Sequence, residues 1–117
     1  MKAVLQIVSS ATVYADEALS GKIDNGLLIL LGVEAEDAAL DAELLCKKIS
    51  KLRIFQDENG KMNRSVMDIG GEIMVVSNFT LNANYEHGNR PDYLAGAAPA
   101  EANALYEYFT SLIAQKV

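Results

Sequence analysis

Ser77 and Asn78 close an apolar run, Ile73-Met74-Val75-Val76, and are followed by Phe79 and Thr80. A run of this kind reads as a strand buried on both faces. A hydroxyl and an amide at its end must find hydrogen-bond partners, because an orphaned buried polar group costs about 1–3 kcal/mol. A ligand pocket at the strand end is one natural solution. Side chains alternate along a strand, so Ser77 and Phe79 point one way and Asn78 and Thr80 the other. One pair can pack while the other faces a cavity. The plainer reading is that Phe79 and Leu81 are core and Ser77 satisfies a neighbouring backbone group.

What chemistry could such a strand end perform? Ser77 or Thr80 acting as a nucleophile needs a base, since a free hydroxyl is a weak nucleophile near neutrality. His87 is the single histidine, seven residues past Thr80 in Tyr85-Glu86-His87-Gly88-Asn89-Arg90-Pro91. A small-ester hydrolase pairing Ser77 with His87 is therefore the weaker alternative. One His and one Cys cannot supply a normal zinc ligand set, so no metal is expected, and no cofactor is expected either. Fixed backbone N–H groups remain. Donors aimed at a developing oxyanion contribute about 3–4 kcal/mol each without any titrating side chain.

Taken with Arg53-Ile54-Phe55, Gly60-Lys61-Met62-Asn63 and Gly88-Asn89-Arg90-Pro91, the Ser77-Asn78-Phe79-Thr80-Leu81 stretch resembles the D-aminoacyl-tRNA deacylases. The resemblance runs from Gln6 and the Gly26 to Val33 run through Ala104-Leu105-Tyr106. It implies a cytoplasmic hydrolase that frees tRNA from D-amino acids and from mischarged glycine. It also implies a site built largely of main-chain atoms over Ser77, Asn78, Phe79 and Thr80, with Thr80 lining the pocket. That site holds the terminal adenosine and its ester, and the substrate's own ribose hydroxyl assists the reaction. Lys61, Met62, Gly88, Arg90 and Pro91 become candidate substrate contacts, and a homodimer becomes the expected assembly. The alternative is a catalytically weak RNA-binding or partner-binding remnant of the same fold.

Three departures stand out. The family usually carries Gln where this chain has Asn78, and Arg where it has Ile7. Family members also continue past the position of Val117 into a Gly-Pro motif that reaches across the dimer and excludes L-amino acids. Here the prolines are Pro91 and Pro99, and neither follows glycine. The expectation is one domain over residues 1–117, C-terminally shortened relative to the family, with poor discrimination between D- and L-esters.

Composition bounds these readings. A chain of 117 residues, half of them hydrophobic, suits one folded domain and argues against disorder. One cysteine excludes an internal disulfide and fits a reducing compartment. Cys46 lies among Leu44, Leu45 and Ile49 and reads as buried and inert. Leu27 to Val33 is far too short to span a bilayer, and neither a membrane nor DNA is expected as a partner. The net charge of −6 argues against a generic nucleic-acid binder. Residues 47–64, however, set Lys47, Lys48, Lys51, Arg53, Lys61 and Arg64 against Asp57 and Glu58, a local charge of +4. A solvated helix face explains the lysines on pattern alone. With the resemblance, Lys47, Lys48, Lys51 and Arg64 become a candidate phosphate-contacting patch.

The elements that must position these residues follow from periodicity. Residues 2–14 read as one strand, Asp16-Glu17 as a turn and Leu19 to Ile23 as the returning strand. Leu27 to Leu31 reads as a central strand after the Asp24-Asn25-Gly26 turn. A helix is expected over Asp37 to Leu52, with Leu40, Leu44, Leu45, Ile49 and Leu52 as its apolar stripe. Arg53 to Phe55 reads as a short strand closed by a turn at Asp57-Glu58-Asn59-Gly60. Gly70-Gly71 supplies a bend before the Ile73 strand. A second helix is expected from about Pro99, burying Ala104, Leu105, Tyr108, Phe109, Leu112 and Ile113. Strands and helices mix without strict alternation, which places the chain in the α+β class. The resemblance adds a mixed, mostly antiparallel and partly barrel-like sheet with two main helices packed on it.

Overall fold

The computed structural model describes residues 1–78 and 99–117. Their order is β1 (Lys2–Val8), β2 (Ala11–Ala15), β3 (Ala18–Ile23), β4 (Gly26–Gly32), α1 (Ala39–Lys51), β5 (Phe55–Gln56), β6 (Met62–Arg64), β7 (Glu72–Ser77) and α2 (Pro99–Lys116). The α+β expectation holds, with two helices packed on mixed, mostly antiparallel strands. Among the described residues the strands form three ladders, β1-β4-β7, β2-β3 and β5-β6, and no closed barrel.

The apolar run 27–31 forms the middle strand. β1 pairs antiparallel on one side of β4, from Lys2 opposite Gly32 to Val8 opposite Gly26. β7 pairs parallel on the other side, from Gly26 opposite Glu72 to Leu31 opposite Ser77. Strand alternation puts Leu27, Ile29 and Leu31 on one face, and all three are buried. That face meets Ala42, Cys46 and Ile49 of α1 and Phe109 and Ile113 of α2, with Phe55 and Val66 completing the core. At Gly26 the strands approach so closely that a Cβ would sit 1.7 Å from the Glu72 carbonyl oxygen. Only glycine fits there.

The single strand expected over residues 2–14 is broken. A bend at the exposed Ser9 and Ser10 separates β1 from β2, and the two halves join different ladders. Composition alone carries no sign of this change of partner. The turn at Asp16-Glu17 is as expected, a two-residue hairpin connection with both residues at positive φ, 50° and 67°. The short strand expected over 53–55 sits two residues later, at Phe55–Gln56. Among the described residues β7 lies at the margin of its ladder, with Met74 buried and Ile73, Val75 and Val76 half-buried, so it is not covered on both faces.

Helix α1 corrects the expected stripe. Leu40 and Leu44 are 62% and 59% exposed, whereas Ala42, Cys46, Ile49 and Ser50 are buried. Residues 42, 46 and 49 form their own i, i+4, i+7 stripe. The Asp41 carboxylate accepts from the Ala38 amide at 2.8 Å and starts the helix. Burial pushes the Cys46 thiol up, with a smaller opposing effect from Lys116. In α2 the expected Phe109 and Ile113 are buried, Leu105, Tyr108 and Leu112 are half-buried, and Ala104 is exposed.

Candidate active site at the end of strand β7

The end of β7 is held from two sides. On the inner side the Asn78 amide donates to the Leu31 carbonyl at 2.8 Å. On the outer side the Tyr106 hydroxyl of α2 donates to the Val75 carbonyl at 2.8 Å. In a strand the N–H and C=O of one residue share a direction and those of the next residue oppose it. Asn78 thus turns its main chain toward β4, and Ser77 turns its N–H and C=O the opposite way, as Val75 does. Ser77 is exposed and Asn78 half-buried. A main-chain donor and acceptor at an accessible strand end can orient an ester and bind a developing oxyanion. Phe79, Thr80, His87, Gly88, Arg90 and Pro91 lie outside the described residues.

Two of the motifs meet in the β5–β6 hairpin. Arg53 Nε donates to the Asn63 carbonyl at 2.9 Å, and its guanidinium also bonds Asn63 Oδ1. Asn63 Nδ2 in turn donates to Asp57 Oδ2 at 3.2 Å. Asp57 Oδ1 accepts from the Asn59 amide at 2.8 Å and the Lys61 amide at 3.1 Å. The Lys61 amide is the largest of several hydrogen bonds that hold the Asp57 carboxyl below its usual range. These bonds make Asp57-Glu58-Asn59-Gly60 a turn, with Gly60 at φ 76°. Lys61 and Met62 stand exposed on this braced hairpin, Met62 at 72%.

Lys47, Lys48 and Lys51 come together on the exposed side of α1, where with Leu44 they line a groove of about 250 Å³. Arg64 does not line that groove. It lies on β6 in an ion pair with Glu58. The Glu58 carboxyl is held down by its own backbone amide first and by the Arg64 charge next. A larger cleft of about 320 Å³ runs between β7 and α2, bordered by Ile73, Val75, Thr110 and Ile113 among others, and neither Ser77 nor Asn78 lines it. Among the described residues no cluster of three or more His, Cys, Asp or Glu could hold a metal ion. No helix among them is long and apolar enough to cross a membrane.

Sequence reasoning did not single out Tyr106. Its signal was a tyrosine on the inward side of an apolar helix, whose hydroxyl needs a partner when the ring is covered.

Comparison with known proteins identifies the family. The family model described as D-Tyr-tRNA(Tyr) deacylase matches residues 4–117. A D-aminoacyl-tRNA deacylase of Koribacter versatilis is 50% identical over 116 residues, covering 99% of this chain and 78% of that protein. The D-aminoacyl-tRNA deacylase of Vibrio cholerae is 50% identical over 115 residues, covering 98% of this chain and 80% of that protein. Among solved structures, one titled c-Myc DNA Unwinding Element Binding Protein superposes with a TM-score of 0.92 at 37% identity, covering 98% of this chain and 77% of its own. Another, of a probable eukaryotic D-amino acid tRNA deacylase, has a TM-score of 0.83 at 13% identity, covers 97% of this chain and 67% of its own, and shows the shared fold alone. The chain belongs to the D-Tyr-tRNA(Tyr) deacylase family.

Proposed function

We propose that this protein hydrolyses the ester bond of D-aminoacyl-tRNA, mischarged glycyl-tRNA included, releasing the amino acid and free tRNA. Membership of the deacylase family across residues 4–117 carries this reading. The outward main chain of Ser77 supports the mechanism. Its N–H stabilises charge on the ester oxygen while water attacks, and the neighbouring ribose hydroxyl of the substrate assists. Asn78, Phe79 and Thr80 complete the pocket wall. Lys61, Met62, Gly88, Arg90 and Pro91 contact the substrate. No side-chain nucleophile, metal or organic cofactor takes part.

The tRNA backbone is held by Lys47, Lys48 and Lys51 on α1, with Arg64 contributing less because Glu58 already neutralises it. We place the active form in the cytoplasm as a homodimer, with residues 1–117 belonging to one deacylase domain.

The test is release of tyrosine from D-tyrosyl-tRNA and L-tyrosyl-tRNA by residues 1–117. Hydrolysis of the D-ester above the spontaneous rate supports the reading, and hydrolysis at the spontaneous rate overturns it. The D-to-L ratio reports whether the chiral filter lies within these residues, and a small ratio is the expected result.

A further inference from the structure

We propose that Tyr106 is a positioning residue for the deacylase site, acting through the Val75 carbonyl on the main chain of Ser77. The inference rests on the reading of Ser77 as a main-chain contact to the ester. A main-chain donor stabilises an oxyanion only while the strand carrying it is held still, because small displacements cost large factors in rate.

The inner side of the β7 end is held by the parallel ladder, through the Asn78 amide on the Leu31 carbonyl at 2.8 Å. On the outer side no strand among the described residues pairs with β7, the last member of the β1-β4-β7 ladder. There the Tyr106 hydroxyl bonds the Val75 carbonyl at 2.8 Å, two residues before Ser77 and on the same side of the strand. Tyr106 is itself held by helix packing, because Phe109 one turn on is fully buried and Ile113 a further turn on is buried too. The half-buried hydroxyl thus transmits the position of a core-anchored helix to the strand end. Merely satisfying an edge carbonyl could have been left to water.

Tyr108 supplies the control. It lies on the same helix, and its hydroxyl donates to Glu43 Oε1 at 2.6 Å, which ties α2 to α1 rather than to β7. Tyr106→Phe and Tyr108→Phe each delete one hydroxyl and keep the ring. Both are compared at a temperature where their circular dichroism matches that of the unsubstituted protein. With D-tyrosyl-tRNA, Tyr106→Phe is expected to lower kcat by on the order of tenfold with KM within about twofold. Tyr108→Phe is expected to leave both within about twofold. Hydrogen exchange at the Asn78 amide provides a readout that does not need activity, and it should accelerate in Tyr106→Phe alone. An unchanged kcat and unchanged Asn78 exchange in Tyr106→Phe, or equal losses in both variants, would overturn the inference. If the unsubstituted protein hydrolyses nothing, the functional reading fails by itself and the exchange comparison decides the positioning role.

Discussion

The Tyr108 hydroxyl donates to Glu43 Oε1 at 2.6 Å, joining α2 to α1 through two residues 65 positions apart in the sequence. This bond to the carboxylate raises the Tyr108 phenol above its ordinary value, with desolvation and the Glu43 charge adding to it. A phenol whose folded pKa exceeds its unfolded one contributes stability below the unfolded value, near pH 10. That contribution disappears as the pH rises through the folded value. The melting-temperature gap between the unsubstituted protein and Tyr108→Phe should therefore be constant from pH 7 to 9 and close above about pH 10. A gap that persists undiminished at pH 11.5, on the order of a unit or more past that value, would contradict the assignment.

Glu17→Gly should stabilise the protein. Asp16 and Glu17 both occupy the left-handed region, and Glu17 gains nothing from its side chain there to offset the strain. The two-residue connection between Ala15 and Ala18 favours glycine at its second position. Chemical denaturation should show a gain of about 1 kcal/mol. A loss would mean that the turn relaxes to another geometry in solution.

Gly26→Ala should do the opposite, and severely. The added methyl would overlap the Glu72 carbonyl oxygen at the start of the β4–β7 ladder. The atoms it would meet are all Glu72 backbone, so no flexible side chain can give way. A loss of about 3 kcal/mol or more is expected in equilibrium unfolding, with exchange accelerated along β7.

Charge reversal separates the cations. Lys48→Glu with Lys51→Glu should weaken tRNA binding and reduce the slope of log affinity against log salt by about 2. Arg64→Glu should have a smaller effect, because Arg64 already faces Glu58. Binding titrations at three salt concentrations check both, and duplex DNA as competitor tests the preference for tRNA. Equal effects at Arg64 and Lys48 would show that the hairpin belongs to the same RNA-contacting surface.

Local signals in the sequence determined a good part of this protein. The unbroken apolar run 27–31 dictated a central strand, Asp16-Glu17 and Asp57 to Gly60 dictated turns, and Pro99 marked the start of α2. The spaced motifs around Arg53, Lys61 and Ser77 were sufficient to indicate the family. Tertiary structure alone decided which face each element spends on the core. Leu40 and Leu44 have the stronger hydrophobic claim, yet Ala42 and Cys46 are buried, because periodicity groups residues onto a face without saying which face meets a neighbour. Likewise, nothing in residues 2–14 says that the chain changes ladders at Ser9-Ser10. The direction of the Ser77 amide was equally hidden. A strand's N–H groups alternate from side to side, and only the parallel pairing with β4 settles that Asn78 turns inward, leaving Ser77 to face the side where Tyr106 holds the strand.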